Sequence, residues 1–145
     1  MTLFLVSGLF RFFFTDINGI EHTDCFCGDP GFPIMPSMGF DCVLPIDIQA
    51  LEDSELLVIP VELIQYLVEN NMEIMRMYNK MLMESVRRHW ETKMALYQYG
   101  AEDRYAWFLE QYSGLIDRIP HIYIASFLNM NPVTLSRIRS KKKTE

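Results

Sequence analysis

Within thirteen residues near its C-terminus the chain sets out Asn131, Val133, Thr134, Ser136, Arg137 and Arg139, then Ser140, Lys141, Lys142 and Lys143. Guanidinium groups can make paired hydrogen bonds to guanine or phosphate, hydroxyls and amides reach base edges and backbone oxygens, and ammonium groups neutralise phosphate. The chemistry implied is recognition of a polyanion. From Arg118 to Lys143 there are six basic and no acidic residues, whereas Met1 to Asp117 holds seven basic against eighteen acidic ones. The overall charge of −6 therefore hides a +6 end on a −11 body, a footprint expected of a nucleic-acid module joined to a regulatory one. Bond-making chemistry is not expected. His22, His89 and His121 fall on different elements, and no nucleophile elbow, phosphate loop or paired-carboxylate spacing stands out.

Those side chains need a scaffold, and the same stretch supplies it. Pro120 opens a short amphipathic helix ending near Leu128, and Pro132 opens a second, because a first-turn N–H has no intrahelical partner and its loss costs little. Asn129 falls in the tight turn between them, where positive φ is required. Ile124, Leu128, Leu135 and Ile138 can face inward, with Ala125 small enough for close approach. This is the outline of a helix-turn-helix. The blander reading, an αα-hairpin with a basic tail, loses ground to the charge asymmetry.

The preceding segments read as all strand, then all helix. Leu3 to Thr15 gives one or two strands bent at Ser7-Gly8, and the turn Asp16 to Gly19 returns the chain as a strand from Ile20 to Cys27. Gly28 to Gly39 concentrates glycine and proline and is expected to be irregular. Pro45–Leu51 and Leu56–Ile59 are expected to pair as a hairpin closed by the polar Glu52–Glu55 turn. Pro60 to Glu69 is a short helix, and a long one follows from about Met72 to Tyr99, closed by Gly100. Met75, Leu82, His89 and Leu96 recur every seven residues on it, with Ile74, Met77 and Met81 on an adjacent flank. About 42 Å of helix with two apolar flanks suits a roll on one side and a second copy on the other. The alternative is one amphipathic core helix. Ala101 to Tyr112 forms a further helix.

A roll, a short helix, a long helix and a C-terminal helix-turn-helix, in that order, resemble the Crp/Fnr family of bacterial transcription regulators. Ile48–Ile59 looks like the last hairpin of that family's cyclic-nucleotide-binding-like roll, and Ala101–Tyr105 with Ile119–Arg139 looks like the DNA-binding half of its Bacteroides-like branch. The resemblance implies an α+β fold: a partial antiparallel β-roll sensor domain with a short helix over residues 1–70, a dimerisation helix over 71–99 and a helix-turn-helix DNA-binding domain over 100–145. It implies a homodimer on double-stranded DNA, contact with RNA polymerase and a small-molecule effector of unknown identity. The family's roll begins several strands earlier than Leu3. Its ribose-binding Gly-Glu pair is matched most nearly by Gly28-Asp29, the candidate effector residues. Between Arg11 and Arg76 there is no arginine to hold a cyclic phosphate, so cAMP is not expected to bind. Arg137 matches the family's base-reading arginine, while Val133 stands where relatives often carry glutamate. The β-wing of many relatives is not expected here. Phosphate contacts are expected from Lys141, Lys142, Lys143 and the end of the first short helix near His121.

Cys25, Cys27 and Cys42, with His22, invite a metal or iron–sulfur reading, yet three cysteines on strands fit buried packing better. An odd count also fits a reducing cytoplasm, and no run of about 18 apolar residues spans a membrane. The ten methionines read as core filler rather than a ligand groove. The competing function is a ligand-sensing or protein-interaction module in which the helix pair merely packs and binds no DNA.

Overall fold

The structure is a computed structural model that describes residues 1–34, 37–39, 42–43 and 46–142, with the side chains of Cys42 and Lys142 and the whole of Lys143 outside that description. Among the described residues eight strands precede five helices: β1 (Thr2–Ser7), β2 (Phe10–Thr15), β3 (Glu21–Cys27), β4 (Pro33–Ile34), β5 (Ser37–Gly39), β6 (Cys42–Val43), β7 (Asp47–Ala50), β8 (Glu55–Ile59), α1 (Val61–Asn70), α2 (Met72–Gln98), α3 (Ala101–Gln111), α4 (His121–Phe127) and α5 (Pro132–Lys142). The result is an α+β architecture. Two three-stranded antiparallel sheets, ordered β4-β1-β8 and β3-β2-β7, face each other, and β5 and β6 form a separate ladder. Between the sheets lie Leu5, Phe10, Phe12, Cys27 and Ile34.

The expected β2–β3 hairpin forms, with Asp16 Oδ1 accepting from the backbone N–H groups of Asn18 and Ile20 at 2.8 and 3.0 Å and Gly19 at φ +80°. The expected β7–β8 hairpin does not. β7 pairs with β2 and β8 with β1, so the two strands lie in different sheets. The reason is the crossing at Ser7–Gly8. Where β1 passes into β2 the chain changes sheet, and the Leu51–Ser54 corner changes sheet alongside it. At this crossing a Cβ on Gly8 (φ +113°) would lie 2.0 Å from Ser54 Oγ, so only glycine lets the two corners meet. The Gly/Pro segment, expected to be irregular, contributes β4 to the first sheet.

A bulge between Phe12 and Phe13 shifts the β2–β3 register, so that Phe12 faces Cys25 and Phe13 faces Thr23. Strict alternation would send Thr23 and Phe26 to opposite faces. The bulge instead leaves both on the outer face of the sheet, beside Arg11, where they meet the C-terminal helices.

In the helical half, Asn71 caps α2 through its side chain, accepting from Glu73 and Ile74 N–H at 2.9 and 3.2 Å. Gly100 has φ −67° and precedes α3 as its N-cap, so it starts that helix rather than closing α2 in a left-handed turn. The seven-residue repeat on α2 does not form one outward seam. Met75 and Leu96 are half-buried and His89 turns to Asp24 of β3, Nε2 to Oδ2 at 3.4 Å. About a quarter turn round the helix, Met83, Val86, Trp90, Met94 and Tyr97 form the exposed apolar stripe.

Candidate nucleic-acid interface

Ile124 and Ala125 of α4 are fully buried against Leu135 of α5, with Phe108, Phe127, Leu128 and Ile138 in the same core. Between the helices Asn129 takes φ 49°, the conformation that its short polar side chain tolerates. Met130 N–H donates to Ala125 O at 3.0 Å across the turn, and Asn131 Oδ1 accepts from Val133 N–H at 2.8 Å, capping α5. Pro120 and Pro132 fall where they cost no hydrogen bond. Pro120 is the N-cap residue of α4, one position earlier than expected.

The outer surface of α5 carries the expected residues, in different states. Val133 is 58% exposed, and Ser136 and Arg137 are exposed. Arg137 has no hydrogen bond or ion pair to any other described residue. Thr134 is half-buried. Arg139 is half-buried and its Nη1 donates to His121 Nδ1 at 2.6 Å. Lys141 Nζ meets Glu102 of α3 at 2.9 Å. Asn131 spends its side-chain oxygen on the cap. His121, Pro132, Leu135, Ser136, Arg139 and Ser140 line an open groove of about 430 Å³ between the start of α4 and one flank of α5. Chemically, the described side chains of α5 offer one guanidinium with an unsatisfied fork, flanked by hydroxyls and an apolar side chain, and two further cations that must exchange a partner to meet phosphate.

This helix pair is not a free-standing unit. Leu9 and Phe26 of the roll belong to its core. The Phe26 ring lies 5.6 Å from that of Phe127, 5.9 Å from Tyr112 and 6.3 Å from Phe108. Ser126 Oγ accepts from Thr23 N–H at 2.9 Å and donates to Glu21 O at 3.3 Å, which satisfies the open edge of β3. Arg118 grips Glu52, holding that carboxyl below its usual range, and donates to Gly8 O at 3.2 Å.

Over 99% of its length the chain matches the structure of FixK2 from Bradyrhizobium japonicum, covering 74% of that chain, with a TM-score of 0.88 and 17% identity. A regulator from Eubacterium rectale described as belonging to the Crp/Fnr family matches over 99% of this chain and 69% of its own, at a TM-score of 0.75 and 18% identity. The chain has the Crp/Fnr regulator fold. A CooA mutant from Carboxydothermus hydrogenoformans gives the same TM-score at 20% identity, over 99% and 67% of the two chains. No protein-family model and no curated protein matches the sequence. Of these three neighbours, the one from Eubacterium rectale is described as a transcriptional regulator.

Within this Crp/Fnr-type frame the residues singled out in the roll are engaged elsewhere. Asp29 lies 3.4 Å from Arg88 of α2. A Cβ on Gly28 would meet Leu115 at 3.1 and 3.2 Å and Leu9 at 3.3 Å, so the position is where the α3–α4 connection packs on the roll. Cys25 and Cys27 pack with the roll interior, and burial pushes both thiols up, Cys27 to about 12. His22 bonds Asp16 at 3.0 Å. Among the described residues no group of three or more His, Cys, Asp or Glu could hold a metal ion, and no helix is long and apolar enough to cross a membrane. What the sequence pattern did not single out is the contact set of Arg11, Tyr123 and Ser126. A lone cation inside the Phe10–Phe14 strand was its one signal.

Proposed function

We propose that the chain is a sequence-specific DNA-binding transcription regulator of Crp/Fnr type, with α5 as the recognition helix entering the major groove. The observation that carries this reading is the geometry of α4, the left-handed Asn129 and α5, which leaves Val133, Ser136 and Arg137 outward on the one strongly basic stretch of an acidic chain. Arg137 makes the base contact, bidentate to guanine. Arg139, Lys141, Lys142 and Lys143 meet phosphates. The outward α2 stripe through Trp90 joins two copies, so that two recognition helices face successive major grooves about 34 Å apart on a two-fold-symmetric site. Gly28 and Asp29 remain the proposed effector contacts, and the effector would act where Asp29 meets Arg88.

Duplex DNA selected by the protein from random sequence tests this. Arg137→Ala should lower specific affinity by about 1–3 kcal/mol and relax the sequence preference at one position per half-site. Lys141→Ala should weaken all duplexes alike and lower the salt slope by about one unit. Unchanged affinity in both variants at moderate salt would replace this reading with that of a protein-interaction module.

A further inference from the structure

We infer that Arg11, a residue of the roll, is a positioning residue for DNA recognition: it fixes the angle of α4, and through α4 that of the recognition helix. The inference deepens the DNA-binding reading above and rests on it.

Arg11 is 1% exposed. Its Nε donates to Thr23 Oγ1 at 2.8 Å, and its Nη1 donates to Glu21 Oε2 at 2.7 Å and Gln49 Oε1 at 3.3 Å. The guanidinium carbon lies 4.3 Å from the ring centre of Phe13 and 3.9 Å from that of Tyr123. Four of these five partners belong to the same sheet, and Tyr123 alone comes from α4. A buried cation is a poor source of stability, since an apolar side chain would avoid its desolvation, but its hydrogen bonds and ring contacts are directional. The three carbonyl, carboxylate and hydroxyl acceptors hold the guanidinium on the sheet, and its flat face then dictates where the Tyr123 ring can sit.

Three residues on, along the same face of α4, Ser126 hydrogen-bonds β3 at Thr23 N–H and Glu21 O. The helix is thus held at two points against one sheet, on Arg11 of β2 and on β3, which sets its rotation about its own axis as well as its distance. The Asn129 turn and the core around Leu135 pass that orientation to α5. Orientation matters for a two-headed reader. Once one head is bound, the second binds as an intramolecular step whose gain depends on how well the held geometry matches the half-site spacing.

The test uses the full chain and three kinds of duplex: one selected by the wild type from random sequence, the same duplex with one half-site replaced, and versions with the half-sites moved one or two base pairs apart. Arg11→Met and Tyr123→Leu remove the contact from either side and are compared at concentrations where sedimentation shows one oligomeric state. Both should keep half-site affinity within about 3-fold of wild type while the advantage of the full site, on the order of 10²–10⁴-fold for a linked pair, falls at least about 10-fold and tolerance to altered spacing widens. Retention of the wild-type advantage, an equal loss on full and half sites, or a gain in affinity would each overturn the inference. Should Arg11→Met fail to fold, Tyr123→Leu alone decides. A wild type that selects no duplex would instead remove the DNA-binding reading, a result distinct from selection with no effect of the variants.

Discussion

The contact between the C-terminal helices and β3 and the outer face of α2 are built from similar side chains and end in opposite conditions. In the first, Phe26, Phe108, Tyr112 and Phe127 pack ring against ring, and the polar groups at the margin, Ser126, Arg118 and Arg11, all find partners in the roll. On the second, Met83, Val86, Trp90, Met94 and Tyr97 stand in solvent. Apolar area of this size is stabilising only when removed from water. The first face is therefore completed within the described residues, and the second stays open among them. The roll and the α4–α5 pair share one core, and the long helix keeps its outer apolar stripe uncovered.

The hardest blow to this contrast would come from Phe26→Ala. Phe26 is 5% exposed and touches three rings, so its truncation should cost about 3–5 kcal/mol in urea unfolding. A loss below about 1 kcal/mol would mean that the roll and the helix pair merely lie side by side. Trp90→Asp acts on the other face. Because Trp90 is 56% exposed, the substitution should leave the stability of one chain within about 0.5 kcal/mol yet weaken self-association by on the order of 30-fold or more, read by sedimentation. If instead it unfolds the chain as Phe26→Ala does, the stripe serves its own fold.

The smallest effect concerns the side of α2 that does meet the roll. Asp24 beside His89 holds the imidazolium, raising its pKa from 6.5 to about 9, with the Ser85 carbonyl helping and burial opposing. Since the folded value is the higher one, the stabilisation is complete below the unfolded value of 6.5 and is lost as pH rises through about 9. His89 is half-exposed, so the effect is modest. Urea midpoints should fall from neutral to alkaline pH more in the wild type than in His89→Gln. Parallel pH profiles would show that the pair contributes nothing to the α2–roll contact.

Much of the C-terminal end was legible because its determinants are local. Proline at a helix start, asparagine at positive φ and apolar residues three or four apart act within a few bonds of one another, and α4, the turn and α5 fall where those signals put them, apart from the one-residue shift at Pro120. The β2–β3 hairpin was legible for the same reason. The destinations of β7 and β8 were not. Their alternation and their four-residue connection suit a hairpin, and the choice of β2 and β1 as partners was made by the crossing at Gly8, about forty residues away. The face of α2 that stays exposed also escaped the pattern, since methionine, tyrosine and leucine lie on nearly every flank and only the position of β3, with Asp24 reaching His89, selects one.

By itself, then, the sequence determined most element types, the α4–turn–α5 unit and the placement of positive charge at one end, the first two of which follow from backbone sterics and short-range periodicity. Tertiary structure decided which cations stay open to a partner. Lys141 meets Glu102, Arg139 meets His121 and Arg11 disappears between two rings, leaving Arg137 outward. The physical reason is that a charge takes whichever partner folding brings within a few ångströms, and residues far apart along a chain carry no mark of that distance.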